Sequence, residues 1–199
     1  AKERDKPFFL YLPLSSPHTP IVPSKPWQGK SDIGKYGDFL METDWVVGEV
    51  LQALDRHRLA KDTIVIFATD NGCSPAAKIP ALVAKGHKPN ADWRGHKADI
   101  FEGGHRVPFL VRWPGKVAAG STSGQTICTA DLFATVAEVL GKSETIPANA
   151  AEDSFTFRPA LLGQAQAKRR PFAVDHSIDG SLAIRRDKWK LALCTGSGG

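Results

Sequence analysis

Three short apolar runs, each fenced by turn residues, limit this chain to folds with a buried sheet: FFLYLPL at 8–14, TIVIFAT at 63–69 and VPFLVRW at 107–113. A strand covered on both faces has no polar side to alternate with, so it reads as an unbroken apolar run. Pro13, Pro17, Pro20 and Pro23 end regular structure in and after the first run. Asp70, Asn71 and Gly72 form a turn triplet directly after the second. Between 35 and 59, Phe39, Val46, Val47, Val50 and Leu54 recur at helical spacing, leaving Glu49, Gln52, Asp55 and Arg56 for the other face. DLFATVAEVLG at 131–141 reads as a further amphipathic helix, with Asp131 near its start and Gly141 as its stop.

The order strand, helix, strand implies an α/β layer. After the linker-like KSETIPANAAED, the segments FAVDHS, SLAIRRD and KWKLALC between 172 and 194 read as short antiparallel strands broken at Asp179 and Gly180. The expected organisation is an α/β domain over 1–165 and the beginning of a small antiparallel subdomain over 166–199. Both ends read as cut from a longer sequence: a strand pattern starts at residue 8, and the chain stops soon after KWKLALC. A sheet so shortened would expose edges and apolar faces.

With 199 residues and 42% hydrophobic content the chain can bury a sizeable core, which excludes disorder as the whole account. No stretch approaches the roughly 20 uninterrupted apolar residues of a membrane helix, and AKERDKPFF has no apolar segment long enough for a signal peptide. The net charge of +5 is spread among acids, and only Lys168, Arg169 and Arg170 form a basic run. That pattern argues against nucleic acid and suits a small anionic substrate. Cys73, Cys128 and Cys194 match no zinc spacing and cannot make a disulfide framework, so they read as small buried apolar residues.

In an open α/β sheet, ligand groups collect on the loops at the carboxyl ends of the strands. His18 lies just past the first run, Asp70 and Asn71 at the end of the second, and Lys97 in the long polar stretch 73–106 before the third. Loops that long are usually functional. Asp70 and Asn71 offer a carboxylate and an amide carbonyl, hard oxygens suited to calcium or magnesium and poorly suited to zinc; the same triplet is equally a common turn. Two such ligands cannot complete a calcium shell of about six to eight. Lys97 could present an ammonium to an anionic oxygen and His18 a proton to a leaving oxygen. Taken singly, each also fits a solvated lysine or a loop histidine. His57, His87, His96, His105 and His176 have no partner at metal-ligand spacing.

In collinear order, KPFFLYLPLSSPHTPIVP, GEVLQALDRHRLAKDTIVIFATDNG, RGHKADIFEGGHRVPFLVRWPGKV, TADLFATVAEVLG and EDSFTFRPALLG resemble the type I, formylglycine-dependent sulfatases, of arylsulfatase type. The resemblance implies part of an alkaline-phosphatase-like α/β sandwich and the start of its small carboxyl-terminal sheet. It implies that Asp70 and Asn71 ligate one calcium ion whose shell is completed by residues outside this chain. It also implies that His18 and Lys97 contact the sulfate and its bridging oxygen. Such enzymes hydrolyse sulfate esters with a formylglycine hydrate made from the cysteine of a Cys-x-Pro-Ser-Arg type motif. That motif is absent: Cys73-Ser74-Pro75-Ala76-Ala77-Lys78 follows it for three positions, then has Ala77 where the arginine belongs. The implied reading is a carboxyl-terminal piece, inactive alone, of a periplasmic, secreted or lysosomal enzyme acting on a sulfated small molecule or carbohydrate. The alternatives are a phosphatase, phosphodiesterase or phosphonate hydrolase of the same superfamily, or a non-catalytic anion-binding module. The hydrolases of that first group typically bind two metals and carry Asp-His where this chain has Asp70-Asn71.

Overall fold

The computed structural model describes residues 6–164 and 170–199. Helix α1 runs over Lys35–Arg56. On its first turn the Asp38 carboxylate turns back and accepts the backbone N–H groups of Gly29 at 2.9 Å and Ser31 at 2.7 Å, which ties down the preceding loop. These backbone donors, Gly29 first, hold the Asp38 carboxyl below the usual carboxylate range. At the other end Arg58 takes φ 59°. The N–H groups of Arg58 and Leu59 then return to the carbonyls of Asp55 and Leu54, closing the last turn.

Strand β1 (Val65–Ala68) leaves this helix and pairs antiparallel with β2 (Phe109–Arg112), in the register Val65 to Arg112 and Ala68 to Phe109. The pairing puts the end of β1 beside the start of β2. Everything from 69 to 108 therefore leaves and returns at one end of the ribbon. That stretch is not a plain loop: it contains α2 (Ile79–Ala84) and the single turn α3 (Glu102–His105).

The first apolar run is where the expectation fails. Residues 8–14 form no strand and are exposed, Phe9 at 83% and Tyr11 at 77%. An apolar run becomes a strand only when neighbours complete its hydrogen bonds and cover its faces. No strand among the described residues pairs with it.

Helix α4 (Asp131–Val139) matches its sequence pattern, and Gly141 at φ 63° ends it. The N–H groups of Gly141 and Lys142 close on Glu138 and Ala137 as at the end of α1. Behind it, α5 (Arg158–Leu161) follows Phe157, which is 2% exposed and meets Phe109 edge to face at 5.5 Å. Thr135 joins the two segments, accepting the Phe157 N–H while donating to Asp131.

Strands β3 (Ala173–His176), β4 (Leu182–Arg186) and β5 (Trp189–Ala192) form an antiparallel meander. Its turns fall at Gly180, φ 84°, and Asp187, φ 51°. The expected boundary at 165/166 lies outside the described residues. The meander is docked on the rest of the chain by charge. Glu102 receives Arg185 at 2.9 Å and Lys190 at 3.3 Å, and Lys190 also meets Asp175 at 2.8 Å. Its other face carries Val174, Ile184 and Leu191 in register, all exposed. Among the described residues no helix is long and apolar enough to cross a membrane.

Candidate active site

The four residues singled out in the sequence come from two places in the fold. Asp70 and Asn71 follow β1 directly, the first exposed and the second half-buried. The Asn71 amide nitrogen donates to the Gly72 carbonyl at 3.0 Å, and Thr69 Oγ1 donates to the Asn71 carbonyl at 3.3 Å. With its nitrogen so engaged, Asn71 has its side-chain oxygen left to offer a ligand.

Lys97 is brought to this turn by its backbone, whose N–H donates to the Cys73 carbonyl at 2.9 Å. Its own carbonyl receives His96 Nδ1 at 2.9 Å, and the His96 N–H donates to the buried Asp99 carboxylate at 3.0 Å. The side chain reaches across to the proline-rich loop, where Nζ stands 3.2 Å from His18 Nε2. His18 Nδ1 lies 2.8 Å from the Thr19 carbonyl, so that nitrogen carries the ring proton and Nε2 offers a lone pair to the ammonium. The loop is tied to α1 by Thr43 Oγ1, which donates to Ser16 Oγ at 2.8 Å. The structure thus joins His18 with Lys97, and Lys97 with the Asp70–Asn71 turn through Cys73.

The turn fits because glycines let backbones touch. A Cβ on Gly72 would land on the carbonyl oxygen of Gly103, and the Gly72 N–H donates to Gly104 at 3.0 Å. The Gly103 N–H in turn donates to Arg94 at 2.7 Å. Asn90 bridges the same pieces with its side-chain amide, to Cys73 at 2.7 Å and to Gly95 at 3.1 Å. Asn90 and Asp99 escaped the sequence reading. Their only signal was position within the Gly-rich stretch 86–104, which spacing alone does not resolve.

Cys73 is half-buried against Tyr36, and burial pushes its thiol up, so it stays protonated. His105, the last residue of α3, is pushed down by burial, and its Nε2 has no hydrogen-bond partner. Among the described residues no group of three or more His, Cys, Asp or Glu side chains could hold a metal ion. A cleft of about 550 Å³ lined by Trp27, Leu40, Met41, Asp44 and Trp45 includes none of the four candidates.

Comparison with known proteins identifies the family. The Sulfatase family model matches residues 1–142. An N-acetylgalactosamine-6-O-sulfatase of Bacteroides thetaiotaomicron is 35% identical over 190 residues, covering 94% of this chain and 36% of that protein. The human N-acetylgalactosamine-6-sulfatase is 39% identical over 168 residues, 84% of this chain and 31% of that protein. A solved sulfatase structure from work on glycosaminoglycan metabolism by Bacteroides thetaiotaomicron superposes with a TM-score of 0.83 at 34% identity, covering 96% of this chain and 40% of that one. The chain spans about a third of the length of the curated relatives it matches. On a family match that runs through the histidine loop, the strand-end turn and the lysine loop alike, this chain belongs to the sulfatase family.

Proposed function

We propose that this chain forms one wall of the active site of a sulfuric ester hydrolase of arylsulfatase type, built on part of an alkaline-phosphatase-like sandwich. The observation that carries the reading is the meeting of Lys97 with His18 at 3.2 Å, beside a turn that ends in a free carboxylate and an amide oxygen. Lys97 brings positive charge to the sulfuryl oxygens, which strengthens as charge develops on them. His18 faces the leaving oxygen. Because its Nδ1 proton is held by Thr19, the ring must take a second proton from solvent at Nε2 before it can give one to the leaving oxygen, while Lys97 beside it keeps its proton and its charge.

Asp70 and Asn71 fit calcium in the chemistry of their donors, two hard oxygens, and would hold it together with ligands from outside this chain. When bound, the ion would supply neutralisation of the sulfuryl oxygens. The nucleophile, a formylglycine, also comes from outside the chain. Cys73 does not supply it, because Ala77 stands where the Cys-x-Pro-Ser-Arg type motif has its arginine. The relatives named as N-acetylgalactosamine-6-sulfatases favour a sulfated carbohydrate as substrate, and the sulfatase reading goes with a periplasmic, secreted or lysosomal setting.

The test is turnover of matched aryl sulfate and aryl phosphate by the longer protein that joins this chain to a Cys-x-Pro-Ser-Arg segment. Sulfate turnover in excess supports the reading, and phosphate turnover in excess overturns it. The 199-residue chain alone is expected to turn over neither. It should bind calcium no tighter than about the millimolar range, the weak end for oxygen-ligand sites. Micromolar binding in a calorimetric titration would reveal ligands beyond Asp70 and Asn71.

A further inference from the structure

We infer that Asn90 is the positioning residue that holds Lys97 against the Asp70–Asn71 turn. The geometry stands by itself; its consequence for anion binding rests on the sulfatase reading above. One planar amide works in two directions. Oδ1 accepts the Cys73 N–H at 2.7 Å, and Nδ2 donates to the Gly95 carbonyl at 3.1 Å. Only this orientation of the amide satisfies both neighbours, since one offers a proton and the other a lone pair.

Cys73 sits two residues after Asn71, and Gly95 two residues before Lys97. The Lys97 N–H closes the circuit on the Cys73 carbonyl at 2.9 Å. The backbone of Asn90 is itself fixed in a tight local fold: Ala91 donates to Lys88 at 3.0 Å and Trp93 to Asn90 at 3.1 Å. A rigid strut of this length leaves little freedom in where the Lys97 side chain starts, and so in how it meets His18. Aspartate could keep the bond to Cys73 but has no proton for Gly95. Alanine keeps neither.

The experiment compares the full chain with its Asn90→Ala and Asn90→Asp variants by NMR, using inorganic sulfate as the probe. In the parent chain, cross-relaxation should connect the Lys97 side chain to the His18 ring. Asn90→Ala should lose that contact and weaken sulfate binding roughly tenfold, as expected for losing one aligned charge-assisted contact, while amide signals of α1 and the β3–β5 meander stay in place. Asn90→Asp should keep slow exchange at the Cys73 amide and lose order from Gly95 to Lys97. That split marks a two-way strut, and it decides the matter even where the alanine variant fails to fold. Survival of the Lys97–His18 contact in Asn90→Ala, or an even disturbance of the whole chain by both variants, overturns the inference. A parent chain that binds no sulfate sinks the anion-site reading alone, because the contact and exchange measurements need no ligand.

Discussion

Lys97 Nζ lies 3.2 Å from His18 Nε2, although 79 positions separate the two residues in the chain. A lysine ammonium and a histidine ring nitrogen facing the same point make sense where an anionic oxygen is to be shared. In the active enzyme, Lys97→Ala should lower kcat/KM for a sulfate ester by about 10²–10³, the usual cost of losing one preorganised stabilising group. His18→Ala should lower kcat by about 10²–10⁴ with good-leaving aryl sulfates least affected, since these need least protonation. Equal losses across a series of leaving groups would count against His18 as the proton donor.

How much of this was legible before the fold was known follows from the range of each interaction. Helix α1, helix α4 and the β3–β5 meander are set by periodicity and by local stops such as Gly141, and all three read off the sequence. Strand β1 and the turn after it were legible for the same reason. The run 8–14 misled because its apolar character reports what it is suited to pack against, not whether a partner is at hand. Asn90 and Asp99 were invisible because their roles exist only once a backbone from another segment arrives within hydrogen-bond distance. The Glu102, Arg185 and Lys190 cluster was hidden likewise, Glu102 lying more than 80 positions from the other two.

Asp38 gives a pH signature. Its folded carboxyl titrates below the ordinary range because Gly29 and Ser31 donate to the ionised form. A depressed folded pKa means that the stabilisation is present above the unfolded value, near 4. It is lost as pH falls through the folded value. Asp38→Asn should therefore lower the thermal midpoint at pH 7, and the gap from the parent should narrow as pH falls below the unfolded value and on through the depressed folded one, where the native carboxyl becomes neutral. A gap that stays constant from pH 7 through that range would rule out the carboxylate as its source.

Arg170 and Asp131 form a buried pair, 2% and 1% exposed, with Nη2 to Oδ1 at 2.7 Å. Asp131 also receives the Cys128 and Phe155 N–H groups, each at 2.8 Å, so its charge is committed to the start of α4 whether or not the arginine is there. Arg170→Met strands a buried carboxylate and should cost about 3–5 kcal/mol in chemical denaturation. Asp131→Asn in the same chain should recover part of that, because its amide oxygen still accepts one of the two backbone N–H groups and no unpaired charge is left. The double variant proving no more stable than Arg170→Met would contradict the stranded-charge account.

Gly72 and Gly48 separate the cost of space from the cost of flexibility. A methyl group on Gly72 collides with the Gly103 carbonyl, which is backbone and cannot swing aside, while one on Gly48 meets nothing within 4 Å. Gly48 lies inside α1, where alanine restricts the unfolded chain and should stabilise by about 0.5–1 kcal/mol. Gly72→Ala should instead destabilise by about 1–3 kcal/mol, as overpacking does. The strain falls on the turn that carries Asp70 and Asn71 and that receives the Lys97 amide. The same variant should therefore shift the Cys73 and Lys97 amide signals and weaken the Lys97–His18 contact, while Gly48→Ala leaves them in place. Thermal melts paired with NMR spectra of the two variants check both halves. A Gly72→Ala chain that melts like the parent with unmoved signals would mean that the two loops have slack which the close approach of Gly72 to Gly103 denies.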